Sequence, residues 1–440
     1  MMIRTKSKFA AAAAAILLAS TSISTSAYAD SAADIQVLRQ QLEAMQKRLI
    51  ELEAKQAKTA EKVEDTHDRA VLSTGKGTGG FVVPGTNTEF SIGGYVKADL
   101  IYDFDESLGD LFVPESISTG DDDDTQRFRA HARQSRLNFK TKTPTSYGDL
   151  KTLLEGDFFG SGGNEVFSNS ASFRLRHAWA EIGNFGVGQF WTNFMPIESY
   201  PSTVDFNGPA GIPFIRQAQI RYTHPINDNL KVSASLENSE FNGRNAGGAF
   251  AESTNIGIRA GLDELPDITA AVTYSDDWGL VKLAGVGRYL NGPADTGGDS
   301  DIGWGVNLSG NTSPWPGGKI AGSFTYGDGV GRYLINGFGQ DAFVDAAGNL
   351  ETIEAYGITA QVTQQITPTI KAGLAYGRYE VLDTFGPDDL EALNTIHGTL
   401  FWNPTERVTV GGEVIWGQRE DESGADDDAL RFQTSVQVNF

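Results

Sequence analysis

The stretch "RVTVGGEVIW", Arg407–Trp416, puts Val408, Val410, Val414 and Trp416 on one side of an extended chain and Arg407, Thr409 and Glu413 on the other. A period of two is the signature of a β-strand with one apolar and one polar face. The same alternation recurs outward from it. At the C-terminus, Thr434, Val436, Val438 and Phe440 oppose Gln433, Ser435, Gln437 and Asn439. Just upstream, Ile396, Leu400 and Trp402 oppose Thr395, His397 and Thr399. Far upstream, Val96, Ala98, Leu100 and Tyr102 oppose Lys97, Asp99 and Asp103.

The connections fall into two classes. Short ones carry turn chemistry: "PTSYG", "GNFG", "PINDN", "SDDWG", "PWPGG", "ITPT" and "NPTE". Longer ones, rich in Gly and Asp, lie near 104–125, 160–171, 195–213, 242–266, 291–300, 328–351, 381–391 and 420–428. Seven short turns alternating with eight long loops predict a sixteen-stranded antiparallel up-and-down barrel over residues 90–440. The stretch "STNIGIRAGL" at 253–262 would break the alternation as a strand, so it belongs in its loop. A cylinder this wide is too large for side chains to fill. Its lumen must hold water, its polar face must look inward, and its apolar face is left to lipid. The expected fold class is thus an all-β transmembrane barrel. Tyr102, Phe194, Tyr222, Trp278, Trp402 and Trp416 are the expected interfacial aromatics.

Three further segments precede the barrel. "MMIRTKSKFAAAAAAILLASTSISTSAYAD" has a basic head, a short apolar run and a small-x-small site, which predicts a signal peptide at 1–29. Ile35, Leu38, Leu42, Met45, Leu49, Leu52, Gln56, Thr59 and Val63 alternate three and four apart, which predicts a self-associating coiled-coil helix within 30–70. Trimer and other oligomers stay open, because the seam mixes Ile, Leu and Val. A Gly/Ser/Thr-rich linker follows at 71–89, and its GxGxxG match lacks the strand and helix of a nucleotide site. The chain has no cysteine, which excludes disulfides and thiolate chemistry. No other run approaches the ~20 apolar residues of a membrane helix.

The formal charge is −22, and about −25 without the signal peptide, yet "RFRAHARQSRLNFK" at 127–140 holds no acid. Arg127, Arg129, His131 and Arg133 are odd-numbered, whereas Arg136, Asn138 and Lys140 are even. A β-bulge near Gln134–Ser135 would keep all these cations on one face. Otherwise the upper half rises above the bilayer or lines a subunit contact. Arg174 and Arg176 oppose Phe173 and Leu175, with Ala178 and Ala180 on their side and Trp179 on the lipid side. Arg221 opposes Ile220 and Tyr222, while Arg216 has the other parity at a loop end. Arginine facing lipid would cost roughly 2–4 kcal/mol at the midplane, so Arg127, Arg129, Arg133, Arg136, Arg174, Arg176 and Arg221 are expected to line water. Asp99, Glu155, Asp157 and Glu413 are candidate lumen acids that would make the array a structural ladder. Loop 195–213 suits a chain folded back as a constriction, with Glu198 or Asp205 facing the arginines. Asp121–Asp124 and Asp426–Asp428 are placed in long loops.

"GGYVKADLIYD", "ARQSRLNFKTKTPTSYGDLKTLLEGDFFG", "FRLRHAWAEIGNFGVGQFWTNF" and "FNGPAG" resemble the DcaP-like outer-membrane porins. The resemblance implies a trimeric sixteen-stranded barrel with a periplasmic coiled coil. It also implies passage of small anions, dicarboxylates included, through an arginine-lined constriction. The expected function is passive diffusion in the outer membrane of a Gram-negative bacterium, with no cofactor and no metal. The expected partners are small carboxylates, outer-membrane lipid and lipopolysaccharide, and further copies of the chain, but not nucleic acid. The alternative is a plugged barrel that serves as a structural anchor or cell-wall tether. An enzyme has no support, since the five histidines are scattered and no GxSxG occurs.

Overall fold

Alternation of burial along each strand reproduces the alternation of residue type, with the sense of a soluble protein reversed. In Asp267–Asp276, Ile268, Val272 and Tyr274 are exposed, whereas Asp267, Thr269 and Thr273 are buried. Across the barrel, Val96, Phe128, Ile220, Leu308, Leu374 and Leu400 face out, and Asp99, Ser235, Asn307, Thr325, Thr395 and Gln433 face in. An apolar exterior over a polar interior is stable only when lipid covers the outside.

The computed structural model describes residues 43–44, 46–48, 51 and 80–440, apart from 121–124, 165–167, 241–242, 246–263, 292–298, 335–338, 346, 348 and 388. The chain divides into two units, Met1–Asp68 and Arg69–Phe440. In the first, the described residues are helical and exposed. The signal peptide and nearly all of the heptad seam lie outside the described residues, as do "STNIGIRAGL" and Asp121–Asp124.

In the second unit, eighteen strand segments share one sheet. The barrel strands, in chain order, are β1 (Glu89–Asp103), β2 (Arg127–His131 with Arg136–Thr145), β3 (Gly148–Asn164), β4 (Ser170–Ile182), β5 (Phe185–Trp191), β6 (Arg216–Pro225), β7 (Leu230–Glu237), β8 (Asp267–Asp276), β9 (Gly279–Asn291), β10 (Ser300–Thr312), β11 (Gly318–Asp328), β12 (Glu354–Thr367), β13 (Ile370–Val381), β14 (Leu390–Thr405), β15 (Val408–Asp421) and β16 (Asp426–Asn439). Each pairs antiparallel with its sequence neighbours, and β1 pairs with β16 from Tyr95↔Asn439 to Asp103↔Arg431. The sheet closes as a sixteen-stranded barrel. A short strand at Gly80–Val82, inside the expected linker, pairs with the start of β1. All seven short turns fall between the expected strands.

The long connections hold two departures. The loop expected at 420–428 shrinks to residues 422–425, so Asp426–Asp428 belong to β16, paired with Gln418, Arg419 and Glu420. They are exposed at the rim, where strand carboxylates stay solvated. Phe194 is fully buried against Tyr333 and Val330, inside the loops instead of in a lipid-facing girdle. Tyr222, Trp278 and Trp402 are exposed on the outside.

Candidate functional site

The slip in "RFRAHARQSRLNFK" is a one-residue bulge. Tyr95 pairs with Arg136 and Asp99 with His131, so β1 uses three residues between those pairs and β2 uses four, Ala132–Ser135. The extra residue strands the backbone of Lys97. Ser135 Oγ repairs this by accepting from Lys97 N at 3.0 Å and donating to Lys97 O at 3.2 Å. On either side of the bulge, Phe128 and Phe139 face out and the cations share the other face.

A second bulge lies in β4. Glu155 pairs with His177 and Gly156 with Leu175, which leaves Arg176 as the extra residue. Above it, Ser172, Arg174 and Arg176 face the lumen. Below it the parity reverses, and His177, Trp179 and Glu181 do. Trp179 is buried against Phe190, with rings 5.3 Å apart, and points inward instead of to lipid. Ala178 and Ala180 take the outer face.

The arginines resolve into three levels. At the long-loop rim, Asp110 pairs with Arg129 at 3.1 Å and Arg133 at 2.7 Å, and Arg127 is exposed. In the middle, Asp157 takes Arg174 through two bonds of 2.9 Å and Arg176 Nη1 at 2.9 Å. Glu155 takes Arg176 Nε at 2.9 Å and lies 3.5 Å from Arg136 Nη1. Toward the short-turn rim, Arg221 bonds Gln219 Oε1 at 3.0 Å and stands 5.8 Å from the centre of the Trp179 ring. Sequence therefore placed Arg136, Arg174 and Arg176 together, while Arg127, Arg129, Arg133 and Arg221 sit above and below them.

Residues 192–215 do cross the lumen. Lys282 Nζ donates to Met195 O at 2.8 Å, Asn311 to Glu198 O at 2.8 Å, and Ala210 N to Thr395 Oγ1 at 3.0 Å. Neither acid of this loop takes an arginine of β2 or β4. Glu198 pairs loosely with Lys231 at 3.9 Å. Asp205 is buried and accepts from Phe112 N at 3.0 Å and Asn207 N at 2.9 Å, with Arg431 at 3.7 Å. Burial pushes the Asp205 carboxyl up, Arg431 opposes this, and Glu413 adds to it. The loop brings aromatics to the arginines instead. The Phe206 ring centre is 5.8 Å from the Arg174 guanidinium and 5.1 Å from that of Arg176.

Between loop and wall lies a cavity of about 560 Å³, lined by Arg176, Trp191, Tyr200, Phe206 and, on another sector of the wall, Lys371. Sequence reasoning missed two cations here. Lys371 opposes Leu374 and Tyr376 in alternation, so its inward face was readable. Arg216 was set aside on parity, but it begins β6, where the loop turns its side chain over Trp191 with 5.0 Å to the ring centre. Its Nη1 is buried without a hydrogen bond, and among the described residues no carboxylate lies within ion-pair distance of it. No group of His, Asp or Glu among the described residues has the arrangement of a metal site.

A model of the DcaP outer membrane protein family matches residues 31–440. The porin Omp2b of Brucella canis is 26% identical over 331 residues, covering 69% of this chain and 82% of the relative. The outer membrane channel DcaP of Acinetobacter baumannii is similar in structure, with a TM-score of 0.70 and 22% identity over 82% of this chain and 99% of that one. Salmonella typhi OmpF, in complex with daunomycin, is 10% identical with a TM-score of 0.51, over 80% of this chain and 98% of that one. At these identities the structural likenesses speak for the fold, and the relatives are porins and channels, not enzymes. With a closed barrel inverted for lipid and a family match across nearly its whole length, this chain belongs to the DcaP outer membrane protein family.

Proposed function

We propose that the barrel is a passive outer-membrane porin that favours small anions, carboxylates such as dicarboxylates foremost. The observation that supports this is the charge count beside the cavity. Arg136, Arg174, Arg176 and Arg216 stand there against Glu155 and Asp157; elsewhere on the lining Lys371 adds a cation and Asp205 an acid, the latter facing Arg431 at 3.7 Å. Uncompensated cations in a low-dielectric wall raise the local anion concentration. The guanidinium fork accepts a carboxylate through two parallel bonds. Arg127, Arg129 and Arg133 would meet a solute first, and Arg221 would meet it last. The family places the barrel in the outer membrane. Homotrimeric assembly, contact with lipopolysaccharide and a periplasmic coiled coil are part of this proposal.

The test is the reversal potential of the purified protein in planar bilayers under a KCl gradient. The expected sign is that of chloride permeation, shifted further when a dicarboxylate replaces chloride. A cation-selective sign overturns the anion reading, and absence of conductance supports the plugged anchor.

A further inference from the structure

At the far tip of the loop that crosses the lumen, one buried carboxylate takes two backbone donors. Glu413 on β15 is 1% exposed. Its Oε2 accepts the consecutive N–H groups of Val204 and Asp205, the second at 2.7 Å. Its Oε1 lies 2.7 Å from His397 Nδ1, which fixes the carboxylate plane. Other holds surround it. Lys97 Nζ donates to Val204 O at 2.8 Å, and Ser202 N donates to Gln361 Oε1 at 3.0 Å. Of these, Glu413 alone takes two successive backbone donors, so its loss would leave two buried N–H groups unpaired at once. The residues next to this tip, Tyr200, Thr203 and Phe206, line the cavity beside Arg176. Where the tip sits therefore decides how wide the passage is.

We propose that Glu413 is the positioning residue that sets the bore of the channel. It does not touch the solute. It keeps residues 202–206 drawn against β15 so that Phe206 stays over Arg174 and Arg176. Without it, two buried N–H groups lose their acceptor, and the tip can regain hydrogen bonds only by moving toward water.

Single-channel recording with the full-length protein, combined with exclusion of neutral polyethylene glycols of graded size, tests this. Glu413→Ala is expected to raise conductance about two-fold, with more open-channel noise and a larger polymer cut-off. Glu413→Gln keeps an oxygen for both N–H groups and should resemble the native channel. A rescue is available, because a Cβ on Gly411 would lie 2.8 Å from Val204 Cγ2 and the chain has no cysteine of its own. In the Glu413→Ala background, Val204→Cys with Gly411→Cys should restore the native conductance when oxidised and lose it on reduction in the bilayer. That variant can be refolded oxidised and reduced afterwards, so it also serves if Glu413→Ala alone does not fold. Native conductance, noise and cut-off in Glu413→Ala, or no change on reduction, overturns the proposal. Neutral polymers report bore and not charge, so failure of the anion reading leaves this result standing.

Discussion

Arg216 lies over the ring of Trp191, 5.0 Å from its centre, while its neighbour Arg174 is paired to Asp157 through two bonds of 2.9 Å. The two guanidiniums sit in one cluster with opposite states of compensation. Arg216→Ala is therefore expected to move the reversal potential toward zero while lowering stability by about 2 kcal/mol, the scale of one desolvated cation–π contact. Arg216→Lys should keep most of the selectivity. Bilayer recordings beside thermal unfolding in detergent read both quantities.

Arg176 should behave in the contrary way. It holds Glu155 and Asp157 together, and Asp157 is fully buried. Removing one partner of a buried ion pair costs about 3–5 kcal/mol. Arg176→Ala should therefore lower the temperature at which the folded barrel loses its compact migration on gels, well beyond the change seen with Arg216→Ala.

Glu115, in the loop after β1, has both carboxylate oxygens buried without a hydrogen bond. Burial pushes its carboxyl well above the ordinary range, and the charge of Arg419 opposes this. The fold thus favours the protonated form. The stability this contributes is complete below the ordinary carboxylate pKa of 4.5 and is lost as pH rises through the higher folded value. Glu115→Gln should flatten the decline in stability between acid and alkaline pH. Equal slopes for the two proteins would contradict the assignment.

The constriction loop reaches β12 and β13 only because both surfaces are bare backbone. Gly211 has φ +78°, and a Cβ there would lie 2.0 Å from Arg378 O; a Cβ on Gly377 would lie 2.4 Å from Ala210 O. Gly377→Ala should push the loop off the wall, at a cost above about 1 kcal/mol for close-packed backbone, and raise conductance. A crystal structure of the variant would show the displaced segment.

Much of this was readable from residue order. Strong alternation on both sides of Gln134–Ser135 located the first bulge, because Phe128 and Phe139 admit only one face each. The second bulge escaped, because Ala178 and Ala180 fit either face and Trp179 alone could not fix the parity. Asp426–Asp428 looked like loop, since carboxylates are rare in strands, yet at a solvated rim they carry no penalty. Glu198 and Asp205 lie in the loop that crosses the lumen, and their partners depend on how that loop folds upon itself, which no periodicity encodes. Arg216 was lost for the same reason. At the first residue of a strand, the loop and not the pleat aims the side chain.

The contacts that hold the constriction join positions far apart in the chain. Glu413 reaches Val204 and Asp205 across 209 and 208 positions, Thr395 reaches Ala210 across 185, and Gln361 reaches Ser202 across 159. Contacts of such separation form late, after the entropy of closing long loops has been overcome. The docking wall belongs to β12, β14 and β15, near the C-terminal end of the barrel. The barrel wall and the loop that narrows it are thus joined by contacts separate from the strand pairing that closes the wall, so closure of the wall and closure of the passage are different events.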